Sequence, residues 1–364
     1  MKALRKIAAG RDLVLVDLPA PVAGPGEVVL RVHATGICGS DLHIQDDEYA
    51  VVPPVTIGHE TSGTVVSVGE GVHGLAEGTR ATSKTTISTC GRCALCLAGR
   101  TNLCSERRWL GGHVDGGFAS FVCVPRDNIL PLPAGVSLDA AALTEPLACC
   151  VHGVMEVLAD RHAAPGSARE RAAHAGGLPT GDMVGSVCVV SGPGPIGLLC
   201  AQVARAAGAD VIVLGTSADE PRFALARGLG FEKFVNVQRE DVYAAVPALM
   251  GGRAPNFVVE SAGAAPSLEQ CLKLAPRGGT VLQIGLYGKP VPVAVDTLVL
   301  KEIRLAGSFS STPTSWVTAL DLMARGEVRT EPLVTSKRPI GEWADAFRAA
   351  RQKGEGKILL VPEA

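Results

Sequence analysis

Residues 187–208 read VCVVSGPGPIGLLCAQVARAAG: a short apolar run, a turn of alternating glycine and proline, then apolar residues spaced along a helical face. The run from Val184 to Val190 is a buried-strand candidate and the following LLCAQVARAAG a helix with a buried face. Between them Gly192, Gly194 and Gly197 form G-x-G-x-x-G. Glycines at these positions permit a tight turn and close approach of a pyrophosphate, while the unpaired N–H groups of the new helix face the phosphates. Gly192, Gly194, Pro195, Ile196 and Gly197 are therefore candidate nucleotide contacts; taken alone, the motif is also compatible with an ordinary glycine-rich turn. The uncharged stretch between Asp182 and Arg205 has the length of a membrane span, but the Gly–Pro turn at its centre fits strand, turn and helix better.

The pattern repeats outward from this turn. VIVLG follows as a second strand, PRFALARGLG as a helix, FVNV and NFVVESAG as strands, SLEQCLKLAP as a helix and GGTVLQIG as a strand. Such alternation predicts a parallel sheet covered by helices. A dinucleotide site of this kind usually carries an acidic residue at the end of the second strand, where it binds the ribose diol and repels a 2′-phosphate. Gly215, Thr216 and Ser217 stand there instead. NADP is thus admitted, with Thr216, Ser217 and Arg222 as polar contacts, while Asp219 offers the NAD role through a longer loop. Both cofactors stay open.

Ahead of this region, VVLRVHATG, ETSGTVVSVG and FASFVCV read as strands of an antiparallel or mixed, barrel-like region. After it come EIRLAGSF, the helix WVTALDLMARGE, the helix-like WADAFRAARQ and a terminal KILLV strand placed to return to the first domain. The segment 160–182, rich in small residues with three arginines and two histidines, reads as an exposed loop or short helical excursion.

Length divided by about 150 gives two domains for 364 residues. With 47% apolar, 19% charged, 43 glycines and 24 prolines, the chain is turn-rich and globular rather than disordered or a coiled coil, and the glycines lack the three-residue period of collagen. Lys+Arg 34 against Asp+Glu 36 leaves a formal charge of −2, so no global field recruits nucleic acid or an anionic membrane. The opening MKALRKIAAGRDLVLV shows no secretory core and cleavage site, which makes a cytoplasmic protein the expectation. The eleven cysteines are an odd number, and metal ligation plus reduced core thiols explains them more economically than a disulfide scaffold.

Cys90, Cys93, Cys96 and Cys104 form C-x2-C-x2-C-x7-C. Spacings this short let one loop wrap four thiolates around a tetrahedral zinc and leave no open position, which assigns a structural role. An iron–sulfur cluster is the chemical alternative. A second set comprises Cys38 in GICGSDLH and His59 and Glu60 in IGHETSG, a thiolate, an imidazole and a carboxylate that suit zinc. Glu145 in TEPLACC is a further carboxylate in an apolar run, with weight as a ligand or a group behind the ligands. Ser40 and His43 stand close enough in sequence to Cys38 to supply a hydroxyl and an imidazole beside a metal.

With these motifs in order along the chain, GICGSDLH, GHETSGTVVSVG, the four-cysteine lobe, TEPLACC, GPGPIG and GGTVLQIG, the sequence resembles the zinc-dependent medium-chain alcohol dehydrogenases, above all their polyol (sorbitol) and threonine dehydrogenase branches. The resemblance implies an α/β and β architecture: a GroES-like, partly open barrel catalytic domain from residues 1–155 and 296–364, and an intervening doubly wound Rossmann NAD(P)-binding domain, 156–295. It puts one catalytic zinc on Cys38, His59 and Glu60, with Glu145 alternating with Glu60 or standing behind it, and one structural zinc on the four cysteines. It makes Ser40 and His43 a proton relay. The substrate it implies is a small secondary alcohol or ketone, foremost a polyol, sugar alcohol or cyclitol, with threonine or simple alcohols as alternatives; a noncatalytic zinc-stabilised nucleotide binder is the reading from another class. A homodimer or homotetramer is implied, and no nucleic-acid or membrane partner.

Overall fold

The computed structural model describes residues 1–161, 183–352 and 354–363. The 160–182 excursion lies outside the described residues from position 162 onward. The chain divides into two compact units, Met1–Glu145 with Val334–Ala364, and Pro146–Leu333.

In the second unit, six parallel strands lie in the order Phe234–Asn236, Asp210–Gly215, Val187–Ser191, Phe257–Glu260, Thr280–Gln283 and Arg304–Gly307. Counted along the unit this is 3-2-1-4-5-6, the order of a doubly wound dinucleotide-binding sheet. Val187, Val189, Ile212, Leu214, Val258 and Val281 have no exposed surface, and each contributes about 1.5–3 kcal/mol by leaving water. The uncharged stretch that matched a membrane span in length forms the first of these strands and the helix Pro195–Ala206. No helix among the described residues is long and apolar enough to cross a membrane.

The first unit is built from antiparallel pairings, with one parallel exception. Its large sheet runs Ile129–Pro131, Arg80–Ser83, Glu60–Val68, Glu27–Gly36, Lys357–Val361, Val334–Pro339, and Phe121–Pro125 pairs with Glu27–Gly36 as well. The terminal KILLV strand therefore does return to the N-terminal region, with Leu359 opposite Gly36. Gly36 in turn faces Glu60. Leu4, Ile44, Ile57 and Phe118 close one side of this unit's core together with Phe347.

Two features differ from the sequence expectation. The units divide at 145/146 and 333/334, whereas the family resemblance implied 155/156 and 295/296. The helix Thr144–Arg161 runs through 155 without interruption, and Arg304–Gly307, beyond 295, is the sixth strand of the parallel sheet. The sequence pattern carried no expectation for the helix Val242–Leu249, which holds Pro247 inside it. Asp241 caps its start by accepting from Tyr243 N at 3.0 Å, and Val242 and Val246 anchor it in the sheet's core.

Candidate metal centres and nucleotide turn

Cys38 stands two residues beyond the long strand Glu27–Gly36 and caps the helix Gly39–Gln45, where its N–H donates to Asp41 Oδ2 at 2.9 Å in a capping box. His59 and Glu60 lie at the start of the neighbouring strand. Their ligand atoms and the Cys38 sulfur all fall within 4.8 Å of one another. A Cβ on Gly36 would collide with Glu60 Oε2, so only glycine leaves the carboxylate this position.

The surroundings of the cluster are anionic and buried. Glu60 Oε1 accepts from Lys357 Nζ at 2.7 Å, and Lys357 also donates to the Ile37 carbonyl at 3.0 Å. Glu60 Oε2 has no hydrogen-bond partner, nor have His59 Nδ1 and Asp41 Oδ1, which face each other at 3.6 Å. Burial pushes Asp41 up to about 6 in spite of His59. Burial disfavours the charged form of His59, but Asp41, Cys38 and Glu145 outweigh it and hold its pKa well above the ordinary value. Lys357 is likewise desolvated, yet Glu60, Cys38 and Glu145 raise it. A pocket holding this much buried negative charge, with a carboxylate oxygen left over, fits a divalent cation. Asp41 behind His59 is the carboxylate–histidine arrangement that orients a ligating imidazole.

Ser40 Oγ lies 3.4 Å from His59 Nε2, and His43 Nδ1 is 2.6 Å from Glu48 Oε2. Glu145 begins the helix Thr144–Arg161, nearly buried; it stands outside the three-residue cluster, while its charge acts on His59, Lys357 and Tyr49. Trp109 meets the His59 ring edge-on at 5.8 Å and Tyr49 at 5.9 Å. Sequence reasoning passed over Asp41, Tyr49, Trp109 and Lys357. Asp41 had a local signal, the acidic residue three positions into a helix; the others are joined to the site by tertiary packing alone.

In the four-cysteine loop Cys90 and Cys96 sulfurs are 3.9 Å apart, and Cys104 and Cys90 sulfurs 3.6 Å. Four sulfurs bound at about 2.3 Å to one tetrahedral zinc stand about 3.8 Å from each other. All four sulfurs lie within 4.8 Å of one another, which matches a single ion; an iron–sulfur cluster spreads its cysteines over at least two irons and holds some of them farther apart. Backbone N–H groups converge on the sulfurs, Cys93 N on Cys90 at 3.3 Å, Cys96 N on Cys93 at 3.4 Å and Cys90 N on Cys104 at 3.4 Å. Donors from Arg92 and Cys93 lower Cys90 to about 6, which favours the thiolate that a metal requires.

In the second unit, the strand Val187–Ser191 leads to Gly192 at φ +100°, and Gly194 caps the helix Pro195–Ala206 with Pro195 in its first turn. A Cβ on Gly192 would lie 2.8 Å from Ala262 Cα, and one on Gly197 would overlap the Gly192 carbonyl. Tight turn and close helix–strand packing thus both depend on glycine, as the motif's mechanism requires. The wall opposite is fixed by Glu260, unnoticed in the sequence. Its buried carboxylate accepts from Ala262 N at 3.1 Å, Gln283 Nε2 at 2.7 Å and Tyr287 Oη at 3.2 Å. Next to it Ser261 Oγ donates to the Ser191 and Gly192 carbonyls at 2.8 and 3.0 Å. Gly215 ends the second strand and Thr216 caps the short helical turn that follows, with Arg222 reaching back toward Gly194.

Comparison with known proteins gives a consistent result. Residues 24–134 match the family described as alcohol dehydrogenase GroES-like domain, and residues 195–325 match zinc-binding dehydrogenase. Sorbitol dehydrogenase of Halalkalibacterium halodurans is 38% identical over 364 residues, covering 100% of this chain and 99% of that protein. D-arabitol-phosphate dehydrogenase of Enterococcus avium is 35% identical, covering 99% and 97%. The solved structure of a zinc-binding dehydrogenase from Sinorhizobium meliloti 1021 bound to NADP is similar with a TM-score of 0.81 at 33% identity, over 99% of each chain.

Proposed function

This chain belongs to the zinc-dependent medium-chain alcohol dehydrogenase family, and on that premise we propose that it oxidises a secondary hydroxyl of a small polyol, sugar alcohol or cyclitol, and reduces the matching ketone, with NAD(P) as hydride partner. The observation that carries the proposal is the Cys38–His59–Glu60 cluster, its imidazole and carboxylate buried and its thiol half-buried, with an unpartnered Glu60 oxygen and a hydroxyl, Ser40, beside it. Cys38, His59 and Glu60 hold the catalytic zinc, with Glu145 as the further carboxylate next to them. Bound there, zinc supplies Lewis acidity to the substrate oxygen, and the nicotinamide takes up hydride.

The chain's own residues do the rest. Ser40 takes the proton that the substrate hydroxyl loses, and His43, steadied by Glu48 at 2.6 Å, carries it toward solvent. In reduction the proton travels the other way. Trp109, packed edge-on against His59 and Tyr49, makes this side of the metal cluster apolar. Cys90, Cys93, Cys96 and Cys104 hold a second zinc with a structural role. Gly192, Gly194, Pro195, Ile196 and Gly197 receive the pyrophosphate at the helix start.

We propose a homo-oligomer, a reading that the second unit's surface supports. Arg304–Gly307 is the sheet's edge strand, and Val295, Val299, Leu300 and Leu305 near it are exposed. An unpaired edge flanked by apolar side chains is closed most simply by the same edge of a second copy. Thiol ligands in two clusters suit a reducing compartment, the cytoplasm.

The deciding experiment follows nicotinamide absorbance with zinc-loaded protein, supplying NAD and NADP separately with polyols, cyclitols, threonine and simple secondary alcohols. Turnover of polyols that is lost in Cys38→Ser, with the four-cysteine zinc retained, is expected. Preferred turnover of threonine would overturn the substrate class, and full activity in Cys38→Ser the metal assignment.

A further inference from the structure

The end of the strand Asp210–Gly215 is where a doubly wound sheet meets the adenosine ribose of a dinucleotide. Gly215, Thr216 and Ser217 leave it without a carboxylate, and the nearest one, Asp219, is engaged within its own turn. Its Oδ2 accepts from Thr216 N at 2.9 Å and from the Thr216 hydroxyl at 2.8 Å. Its Oδ1 pairs with Arg222 Nη1 at 3.5 Å. Two further carboxylates on this side are committed as well: Glu220 pairs with Arg227 at 3.0 Å, and Glu240 accepts from Asn236 N at 2.8 Å. To bind a ribose diol, Asp219 would have to give up the bonds that shape the turn.

Donors at the same place are better prepared. The Arg222 side chain is only 11% exposed, and its Nη1 lies 3.9 Å from where a Cβ on Gly194 would stand, so the guanidinium is held beside the second glycine of the nucleotide turn. A guanidinium offers five N–H donors in a planar fork that matches a phosphate. Ser217 Oγ accepts from Asn236 Nδ2 at 3.1 Å, which directs its own O–H elsewhere as a donor. A 2′-phosphate would meet a cation and a hydroxyl there, and Asp219 beside them is already paired with that cation.

We infer that the nucleotide site of this chain is selective for NADP(H) over NAD(H), with Arg222 and Ser217 recognising the 2′-phosphate and Asp219 withheld by the Thr216 turn. The inference rests on the dehydrogenase function proposed above, and its test needs no turnover. NADPH and NADH are titrated separately into zinc-loaded protein without substrate, with nicotinamide fluorescence as the readout.

NADPH is expected to bind at least about tenfold more tightly than NADH, the worth of one charge-assisted contact. Arg222→Gln should collapse that ratio by about tenfold, and Ser217→Ala should reduce it by roughly threefold. Asp219→Asn keeps an oxygen for Thr216 but frees the guanidinium, so it should raise the ratio. Equal or tighter binding of NADH by the wild-type protein, or a ratio unmoved in both Arg222→Gln and Ser217→Ala, overturns the selectivity while leaving the dehydrogenase function intact. Failure of both nucleotides to bind overturns that function, and the selectivity with it. If Arg222→Gln does not fold, the wild-type ratio and Ser217→Ala still decide.

Discussion

Replacing Lys357 with methionine should loosen the strands around the catalytic cluster more than any exposed charge change. Lys357 and Glu60 are both buried, and the ammonium is the only partner of Glu60 Oε1 among the described residues. Methionine keeps most of the aliphatic volume and removes the charge, which strands a carboxylate whose other oxygen already lacks a hydrogen bond. Breaking one side of a buried pair costs about 3–5 kcal/mol. At about 1.36 kcal/mol per power of ten, that is roughly two to nearly four powers of ten in the opening equilibrium. Hydrogen exchange read by mass spectrometry at about pH 8, where protonation of the carboxyl gives least relief, resolves it. Peptides covering 27–36 and 357–361 should lose protection in zinc-stripped Lys357→Met, while the strand Asp210–Gly215 in the other unit serves as the control. Zinc should restore part of the loss by engaging the second oxygen. Adding Glu60→Leu should restore most of it in stripped protein, since an apolar pair in place of a buried ion pair is close to neutral. A loss below about tenfold, or a double variant no better than the single one, would refute the argument that each buried charge offsets the other's desolvation.

Three further outcomes can be checked independently. In zinc-stripped protein near neutral pH, alkylation should reach Cys90 first: donors from Arg92 and Cys93 hold it at about 6, while Cys96, despite a hydrogen bond from Thr89, is pushed up to about 11 by desolvation and by Cys93 and Cys104. Peptide mapping showing Cys96 modified ahead of Cys90 would contradict this. Gly197→Ala forces a methyl against the Gly192 carbonyl; overpacking of about 1–3 kcal/mol should weaken NAD(P)H binding by up to roughly a hundredfold, and an affinity within about threefold of wild type would sink the close-packing account. Desolvation raises Asp139, but Lys337 at 2.7 Å and His33 at 2.9 Å overcome it and hold the carboxyl below its usual range. A depressed folded value means the stabilisation is complete above the ordinary 3.8 and is lost as pH falls through the folded value. The deficit of Asp139→Asn in urea midpoint should therefore be present at neutral pH and vanish in strong acid; a deficit that persists there would mean lost packing rather than charge.

What could be read from the sequence was whatever short-range spacing fixes. Four cysteines between 90 and 104 share one loop, so their sulfurs have few places to go except around one ion. The Gly192–Gly197 turn carries strand, turn and helix within itself, and the parallel sheet follows from the alternation around it. The Cys38 and His59–Glu60 segments lie farther apart, and it was the ordered set of motifs that joined them. Spacing was silent where register decides. Lys357 looks like one more charged residue beside the last apolar strand, and nothing local connects it with Glu60. The connection is made by two pairings, Leu359 opposite Gly36 and Gly36 opposite Glu60, which bring the strand's first residue to the carboxylate. Because side chains alternate between faces, a slip of one residue in the last strand would turn Lys357 away and leave Glu60 without its counter-charge. The apolar residues Ile358 and Leu360, packed with Ile44, Ile57 and Phe347, oppose that slip. The register of strands far apart in sequence is thus part of the metal site, held by hydrophobic burial that has no chemistry of its own.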